Sequence, residues 1–450
     1  YNTLLFKLIT LVYIIYYSFI YLNMKNKFVK STLILIIGAL FTKLLGFIIK
    51  IIFTRIVSND AINLYSIIMP TYSLLITLAQ LGLPLAISNV IASSKNSSKK
   101  VLFSIIPVSL LINIILISLI FMVAPYISNN LLNNKDTYYP IISIAFILPF
   151  ISLSSIIRGY FFGKQKMLPH TLSNIIEQLF RLLLIIIVLP KLNKYGIVFI
   201  VSIYILLNIA SEIISIIIFL LFAPKNFIIK REDLKPSISI IKDIMSVALP
   251  TTSSRIIGNI GYFFEPVILT FTLTLSGYSN KFILNEYGTY NAYVLPLLTI
   301  PSFFILALNT SLVPEISKNR NNKLLVKKRL KQSIIFSLLI GIVSNTLVYI
   351  FTGDLLYILF RTKKGIDYIK FLAPFFIFLY LEGPLSSTLQ ALNYAKYTMK
   401  VTIITTSIKL ITLFIFSLFH IGLYGLLISE IINIFLVIYL YSIKTKKVLA

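Results

Sequence analysis

Ten side chains in this sequence carry charge where their neighbours are fit only for hydrocarbon. Lys43 and Lys50 interrupt one apolar run, Glu177 and Arg181 another, Arg255 and Glu265 a third. Glu212, Glu382, Lys409 and Glu430 stand in further runs. An ionised group at bilayer depth is costly, so each calls for a partner, a water-filled cavity or a function. Cations there suit an anionic substrate, phosphate or pyrophosphate above all, because a guanidinium binds such groups in a bidentate way. Acids there suit the uptake and release of a coupling proton or ion. The substrate-binding candidates are Lys43, Arg255 and Lys50. Glu177, Arg181 and Lys409 are candidates for gating or for tuning those cations, and Glu265 and Glu382 for coupling.

Alternatives stand beside these assignments. Lys43 can pair with a buried glutamate, and Lys50 can reach the surface with its charged end. Glu177 and Arg181 are four residues apart on one helix, a favourable local pair. With Asn174 and Gln178 they form one polar face, which must look inward in either case.

Bond-making chemistry is not readable. There is no cysteine, and the two histidines, His170 and His420, are far apart. No set of His, Cys, Asp and Glu has metal-ligand spacing. Gly159 to Lys164 reads G-x-x-x-G-K with Gln165 after it. A phosphate-binding loop needs four residues between the glycines and Ser or Thr after the lysine, so this is not one. Neither an enzyme nor an ATP-driven pump is expected, and no cofactor; the drive would come from an ion or the membrane potential. His170, after Pro169 at a helix start, is expected at the surface.

The elements that must position these charges are membrane helices. The chain has 450 residues, 58% hydrophobic and 12% charged, with a net charge of +27 and a mean hydropathy of +0.94. Apolar runs long enough to cross about 30 Å of hydrocarbon recur along its length. They are continuous rather than alternating, which excludes a membrane β-barrel. Twelve spans are expected, near 31–53, 63–91, 101–127, 139–162, 169–189, 196–222, 244–275, 287–312, 331–352, 366–390, 397–419 and 421–443. Residues 1–23 are an apolar extension ahead of Met24, read as non-native or as one extra peripheral helix.

The net charge does not point to nucleic acid, because the cations gather in loops as topology signals do. Lys25, Lys27 and Lys30 precede the first span, and Lys95, Lys99, Lys100, Lys164, Lys166, Lys396 and Lys400 follow even-numbered spans. The densest run lies between 318 and 331, where contact with anionic membrane lipid is a further use. Loops after odd-numbered spans are poorer. Both ends of the twelve-span unit are therefore expected in the cytoplasm. The polar connection 223–243 divides 24–222 from 244–450, six spans from six.

The halves repeat. Thr42-Lys43-Leu44-Leu45-Gly46 matches Ser254-Arg255-Ile256-Ile257-Gly258. Ser154, Ser155, Gly159, Gly163, Lys164 and Met167 match Ser386, Ser387, Ala391, Ala395, Lys396 and Met399, and Glu177 falls opposite Lys409 at the same offset. A second Ser-Glu-Ile-Ile, at 211–214 and 429–432, is out of register and is set aside. An even number of spans per half makes the repeats parallel, with a substrate path between two bundles that rock. Lys43 and Arg255 would then line a central cavity.

Several stretches carry a family resemblance over nearly all of 24–443: TKLLGF (42–47), LYSIIMPTYSLLITLAQLGLPLAIS (64–88), RGYFFGKQKMLPHTLSNIIEQLFR (158–181), ALPTTSSRIIG (248–258) and LPLLTIPSFFILALNTSLVPEIS (295–317). They resemble the stage V sporulation protein B branch of the polysaccharide exporters, in the superfamily that holds lipid II flippases and MATE drug exporters. The resemblance implies an all-α polytopic membrane protein of two six-helix bundles around a central cavity. It also implies outward movement of an undecaprenyl-pyrophosphate-linked saccharide across the bacterial plasma membrane, for peptidoglycan or another envelope polysaccharide, with a link to sporulation. Lys43 takes the place of a first-helix cavity cation in the lipid II flippases. The uncharged stretch 292–296 lacks their eighth-helix arginine, and Asn63 stands where the branch has Gly. The implied partners are the lipid-linked saccharide, membrane lipids and cell-wall synthesis enzymes. The competing expectations are a cation-coupled multidrug exporter and a non-transporting scaffold.

Because the chain lacks cysteine, its topology is open to single-cysteine labelling. A membrane-impermeant maleimide should label Lys363→Cys in intact cells and Lys396→Cys only after permeabilisation; the reverse pattern inverts the orientation.

Overall fold

The computed structural model describes residues 27–93, 97–224 and 231–449. The extension 1–23 lies outside them. Every regular element among the described residues is helical, as hydrocarbon demands, since a helix satisfies its backbone within itself. In chain order the α-helices are α1 (Lys27–Ile56), α2 (Asn59–Gln80), α3 (Leu83–Ser93), α4 (Ser98–Tyr126), α5 (Tyr138–Gly163), α6 (Met167–Leu192) and α7 (Ile197–Leu221). A four-residue α8 (Arg231–Leu234) and the long α9 (Ile238–Leu275) follow. Then come α10 (Asn280–Thr289), α11 (Leu295–Thr299), α12 (Ser302–Lys318), α13 (Lys323–Ile350), α14 (Thr352–Phe360), α15 (Ile366–Leu379), α16 (Glu382–Ala391), α17 (Ala395–Ser417) and α18 (Tyr424–Leu449).

Eleven of the described segments are long and apolar enough to cross a membrane, one fewer than the twelve expected. The difference is the expected span 287–312. It is helical but broken into α10, a π-helical turn at Tyr290–Val294, α11 and α12. Pro296 and Pro301 remove backbone donors where these pieces join, and proline inside a helix kinks or divides it. A smaller break separates α2 from α3, where Leu81 and Gly82 both have positive φ, 44° and 62°. A Cβ at Gly82 would collide with the Thr252 hydroxyl, so the site needs glycine for conformation and for space.

Contacts group the described residues into two compact units. The first holds 27–56, Leu75–Pro125 and Tyr138–Thr252. Its helices approach through small residues. Gly38 of α1 meets Thr171 of α6. Gly159 and Gly163 of α5 lie one turn apart against Ile87 and Ile91 of α3, where an added Cβ would stand 2.8 and 2.7 Å from the isoleucine Cβ atoms. The G-x-x-x-G of the sequence is thus a packing surface of the small-residue kind that lets membrane helices come close. A buried polar network joins α4 to α5, with Asn113 donating to Ser152 at 2.9 Å and Ser152 donating to the Ala79 carbonyl at 3.0 Å.

The second unit holds Val57–Leu74, Tyr126–Thr137 and the chain from Ser253 onward. Hydrogen bonds account for the two inserted segments. Asn63 donates to Asn285 at 2.5 Å, Tyr293 donates to Asn59 at 3.2 Å, and Ser73 donates to Asn259 at 2.7 Å. Asn280 donates to the Asn133 carbonyl at 3.2 Å. Gly288 makes room for Asn63, whose side chain fills the space a Cβ would take. The packing motif of the first unit returns here, because Gly261 of α9 meets Thr406 of α17 as Gly38 meets Thr171.

Gly159→Val should cost about 1–3 kcal/mol through overpacking. The measurement is the thermal unfolding midpoint of the purified protein in detergent. Gly46→Val, at a glycine whose added Cβ meets nothing within 4 Å, should leave that midpoint unchanged.

Candidate functional site

In the second unit the intramembrane charges form one compact group. Lys409 of α17 extends its ammonium to Glu265 of α9 at 2.7 Å and to Glu430 of α18 at 2.5 Å. The Glu265 side chain is 3% exposed and that of Lys409 19%, so the pairing takes place largely out of water. Tyr287 donates to the other Glu265 oxygen at 3.2 Å. Asn291 donates to the Tyr287 carbonyl at 3.3 Å and accepts from Tyr262 at 3.2 Å. Glu382 of α16 is close enough to Glu430 for their charges to repel. Two carboxylates on one ammonium leave the group with an excess negative charge when all are ionised.

In the first unit α5, α6 and α7 bring together two acids and two bases. Glu177 of α6 has Glu212 of α7, Arg158 of α5 and Arg181 of α6 as charged neighbours. Gln178 donates to Glu177 at 3.2 Å, and Arg158 donates to Asn174 at 3.3 Å. Arg181 lies over the Tyr204 ring at 5.4 Å, and that ring stacks on Phe53 with centroids 4.0 Å apart. His170, expected at the surface, is half-buried. It meets the edge of Phe162 at 4.7 Å and lies 3.4 Å from the Asn174 amide. The expected polar face of α6 therefore looks into protein, and its partners extend well beyond the local Arg181.

Lys43 and Arg255 differ from both groups. Each is exposed, as are their neighbours Gly46 and Leu44 in the first case. An added Cβ at Gly46 or at Gly258, one turn beyond each cation, would meet no atom within 4 Å. Both cations thus stand on helix faces that look into open space. Lys50, two turns beyond Lys43, is half-buried.

The sequence had set Glu177 opposite Lys409 through the repeat, taken Glu265 and Glu382 as coupling candidates, and left Glu212 and Glu430 without a role. The structure pairs Lys409 with Glu265 and Glu430, and gives Glu177 the charged neighbours Glu212, Arg158 and Arg181. The overlooked signal was the repeated Ser-Glu-Ile-Ile. Whatever its register, both of its glutamates lie beside the charged side chain of the preceding helix. Arg158, within the expected span 139–162, was also missed as a member of the site. Tyr287 carried no signal. No group of three or more His, Cys, Asp or Glu residues among the described ones is arranged to hold a metal ion.

The chain matches the polysaccharide biosynthesis protein family model over residues 28–320 and the MatE model over 288–415. It is 33% identical over 438 residues to Stage V sporulation protein B of Bacillus subtilis (strain 168), covering 94% of this chain and 85% of that protein. Lipid II flippase MurJ of the same organism is 26% identical over 176 residues, 36% of this chain and 32% of the flippase. Among solved structures, the inward-facing conformation of a multidrug resistance MATE family transporter of the MOP superfamily superposes with a TM-score of 0.75 at 17% identity. That superposition covers 90% of this chain and 95% of the transporter and speaks for the fold alone.

Removing one partner of a buried ion pair costs about 3–5 kcal/mol, because the other charge is left uncompensated. Lys409→Met should lower the thermal midpoint accordingly, and adding Glu265→Gln and Glu430→Gln to it should restore most of the loss. A triple variant no more stable than Lys409→Met would show that the charges are not coupled.

Proposed function

The chain belongs to the polysaccharide biosynthesis protein family, and from that premise we propose that it is a flippase. It carries an undecaprenyl-pyrophosphate-linked saccharide, headgroup first, from the inner to the outer leaflet of a bacterial plasma membrane, by alternating access. Lys43 and Arg255 are the cations that meet the pyrophosphate. The saccharide belongs to peptidoglycan or another envelope polysaccharide, and the use is in sporulation, in keeping with the name of the relative that is 33% identical. Both ends of the twelve-span unit lie in the cytoplasm, and the neighbours at work are membrane lipids and enzymes of wall synthesis.

One observation supports the site assignment most. Lys43 and Arg255 are exposed on helix faces that look into open space, and the charges of the Lys409 and Glu177 groups are packed among other charged side chains. The two correspond in the sequence repeat. A cation at the same place in each half gives an anionic headgroup a contact in either half, while the packed groups hold the helices that carry them. Lys50, half-buried, assists Lys43. Glu177, Arg181 and Lys409 set the shape and field around the path. Glu265 and Glu382 are where a coupling proton or ion would act. The membrane potential is an alternative drive, at roughly 2.3 kcal/mol per charge per 100 mV.

Binding of a fluorescent undecaprenyl-pyrophosphate saccharide to the purified protein tests the assignment. Lys43→Ala and Arg255→Ala should each weaken binding by tenfold or more, since a charge-assisted contact contributes about 1.5–3 kcal/mol. Unchanged affinity in both variants refutes the cationic site, and transport of cationic dyes in its place would support the multidrug reading.

A further inference from the structure

The second unit carries a groove that none of the foregoing uses. α13 and α18 both pack on α16, and the space they leave has a volume of about 420 Å³. Its wall is apolar: Leu330 and Ile334 of α13, Leu385 of α16 and Leu449 of α18. Three of these belong to the hydrophobic core of that region, and Ile334 packs against it. Ser442 and Thr445 of α18 and two lysines, Lys327 from α13 and Lys446 from α18, complete the lining, and both lysines are exposed. Lys327, Leu330 and Ile334 follow one another at helical spacing, so α13 presents a cation followed by an apolar stripe.

The position along the helices matters as much as the lining. The groove lies at the start of α13 and the end of α18, where Lys323, Lys328, Lys331 and Lys447 also cluster. Other cations of the same region are engaged by protein. Arg329 pairs with Glu315 at 3.1 Å, and Lys444 lies over the rings of Tyr394 and Tyr397 at 4.4 and 5.3 Å. Lys327 and Lys446 instead stand at the rim of an apolar trough. A soluble anion would have no use for the trough, and a neutral lipid none for the lysines. Basic pockets between membrane helices on the cytoplasmic side suit anionic lipid headgroups.

We propose that this groove holds one anionic phospholipid, its phosphate between Lys327 and Lys446 and an acyl chain against Leu330, Ile334, Leu385 and Leu449. The site is independent of what the protein transports. The loop charges set the leaflet, which is the cytoplasmic one.

Native mass spectrometry of the purified full chain, titrated with phosphatidylglycerol or phosphatidylcholine, tests this. One phosphatidylglycerol should be retained in preference to phosphatidylcholine. Lys327→Gln with Lys446→Gln should weaken phosphatidylglycerol binding roughly 30-fold, about fivefold for each lysine near the surface. Lys328→Gln, on the same helix but outside the lining, should change nothing. Ser442→Trp, which fills the groove without altering charge, should also expel the lipid. Equal retention of the two lipids overturns the proposal, as does a Lys328→Gln effect equal to that of the groove lysines. So does a disulfide-linked dimer formed by Ser442→Cys alone in phosphatidylglycerol-containing membranes, because a second copy then occupies the groove. Should any variant fail to fold, the comparison of the two lipids on the unmodified chain still decides. Loss of this preference leaves saccharide binding untouched, so the two proposals fail separately.

Discussion

Lys409 holds two carboxylates from two other helices, and the second unit is arranged around that contact. Without it, Glu265 on α9 and Glu430 on α18 would lose the cation that both of them pair with. The ammonium ties three helices at one depth, and the Tyr287 hydroxyl occupies a further lone pair on Glu265. A salt bridge so placed is weak evidence for net stability, because desolvation consumes much of the attraction. What it gives is position: neither acid can leave without stranding a charge.

The first unit meets the same constraint with other means. Two acids and two arginines share the space among α5, α6 and α7, with Asn174, Gln178 and His170 supplying hydrogen-bonding groups and Tyr204 a ring face for Arg181. The units are thus alike in scaffold and unlike in charge. Gly38 against Thr171 recurs as Gly261 against Thr406, while an acid at Glu177 corresponds to a base at Lys409. The motifs that recur are those that set how closely helices approach. The charges have diverged. Lys43 and Arg255 are the exception, a cation kept in both halves on a face that looks into open space.

Most of the fold was legible because membrane helices announce themselves by length and apolarity. The break in 287–312 was legible only in part: Pro296 and Pro301 mark it, but hydropathy runs straight through. The inclusion of Val57–Leu74 in the second unit rests on Asn59, Asn63 and Ser73 finding amide and phenol partners far along the chain, which no local pattern reveals. Partner choice among the acids was hidden for a similar reason. Depth in a span follows from counting residues, but facing direction depends on how helices cross. The glycine pair 159 and 163 invited a nucleotide-binding reading that its spacing rejects. Packing against Ile87 and Ile91 explains it.

Under the proposed function an anionic lipid-linked headgroup crosses the membrane by way of Lys43 and Arg255. Reconstitution into liposomes that carry a fluorescent undecaprenyl-pyrophosphate saccharide, with an impermeant quencher added outside, measures that crossing directly. The unmodified chain should bring the inner-leaflet probe within reach of the quencher, and the Lys43→Ala, Arg255→Ala double variant should fall to the rate of protein-free liposomes. A double variant as fast as the unmodified chain, or an unmodified chain no faster than bare liposomes, would contradict it.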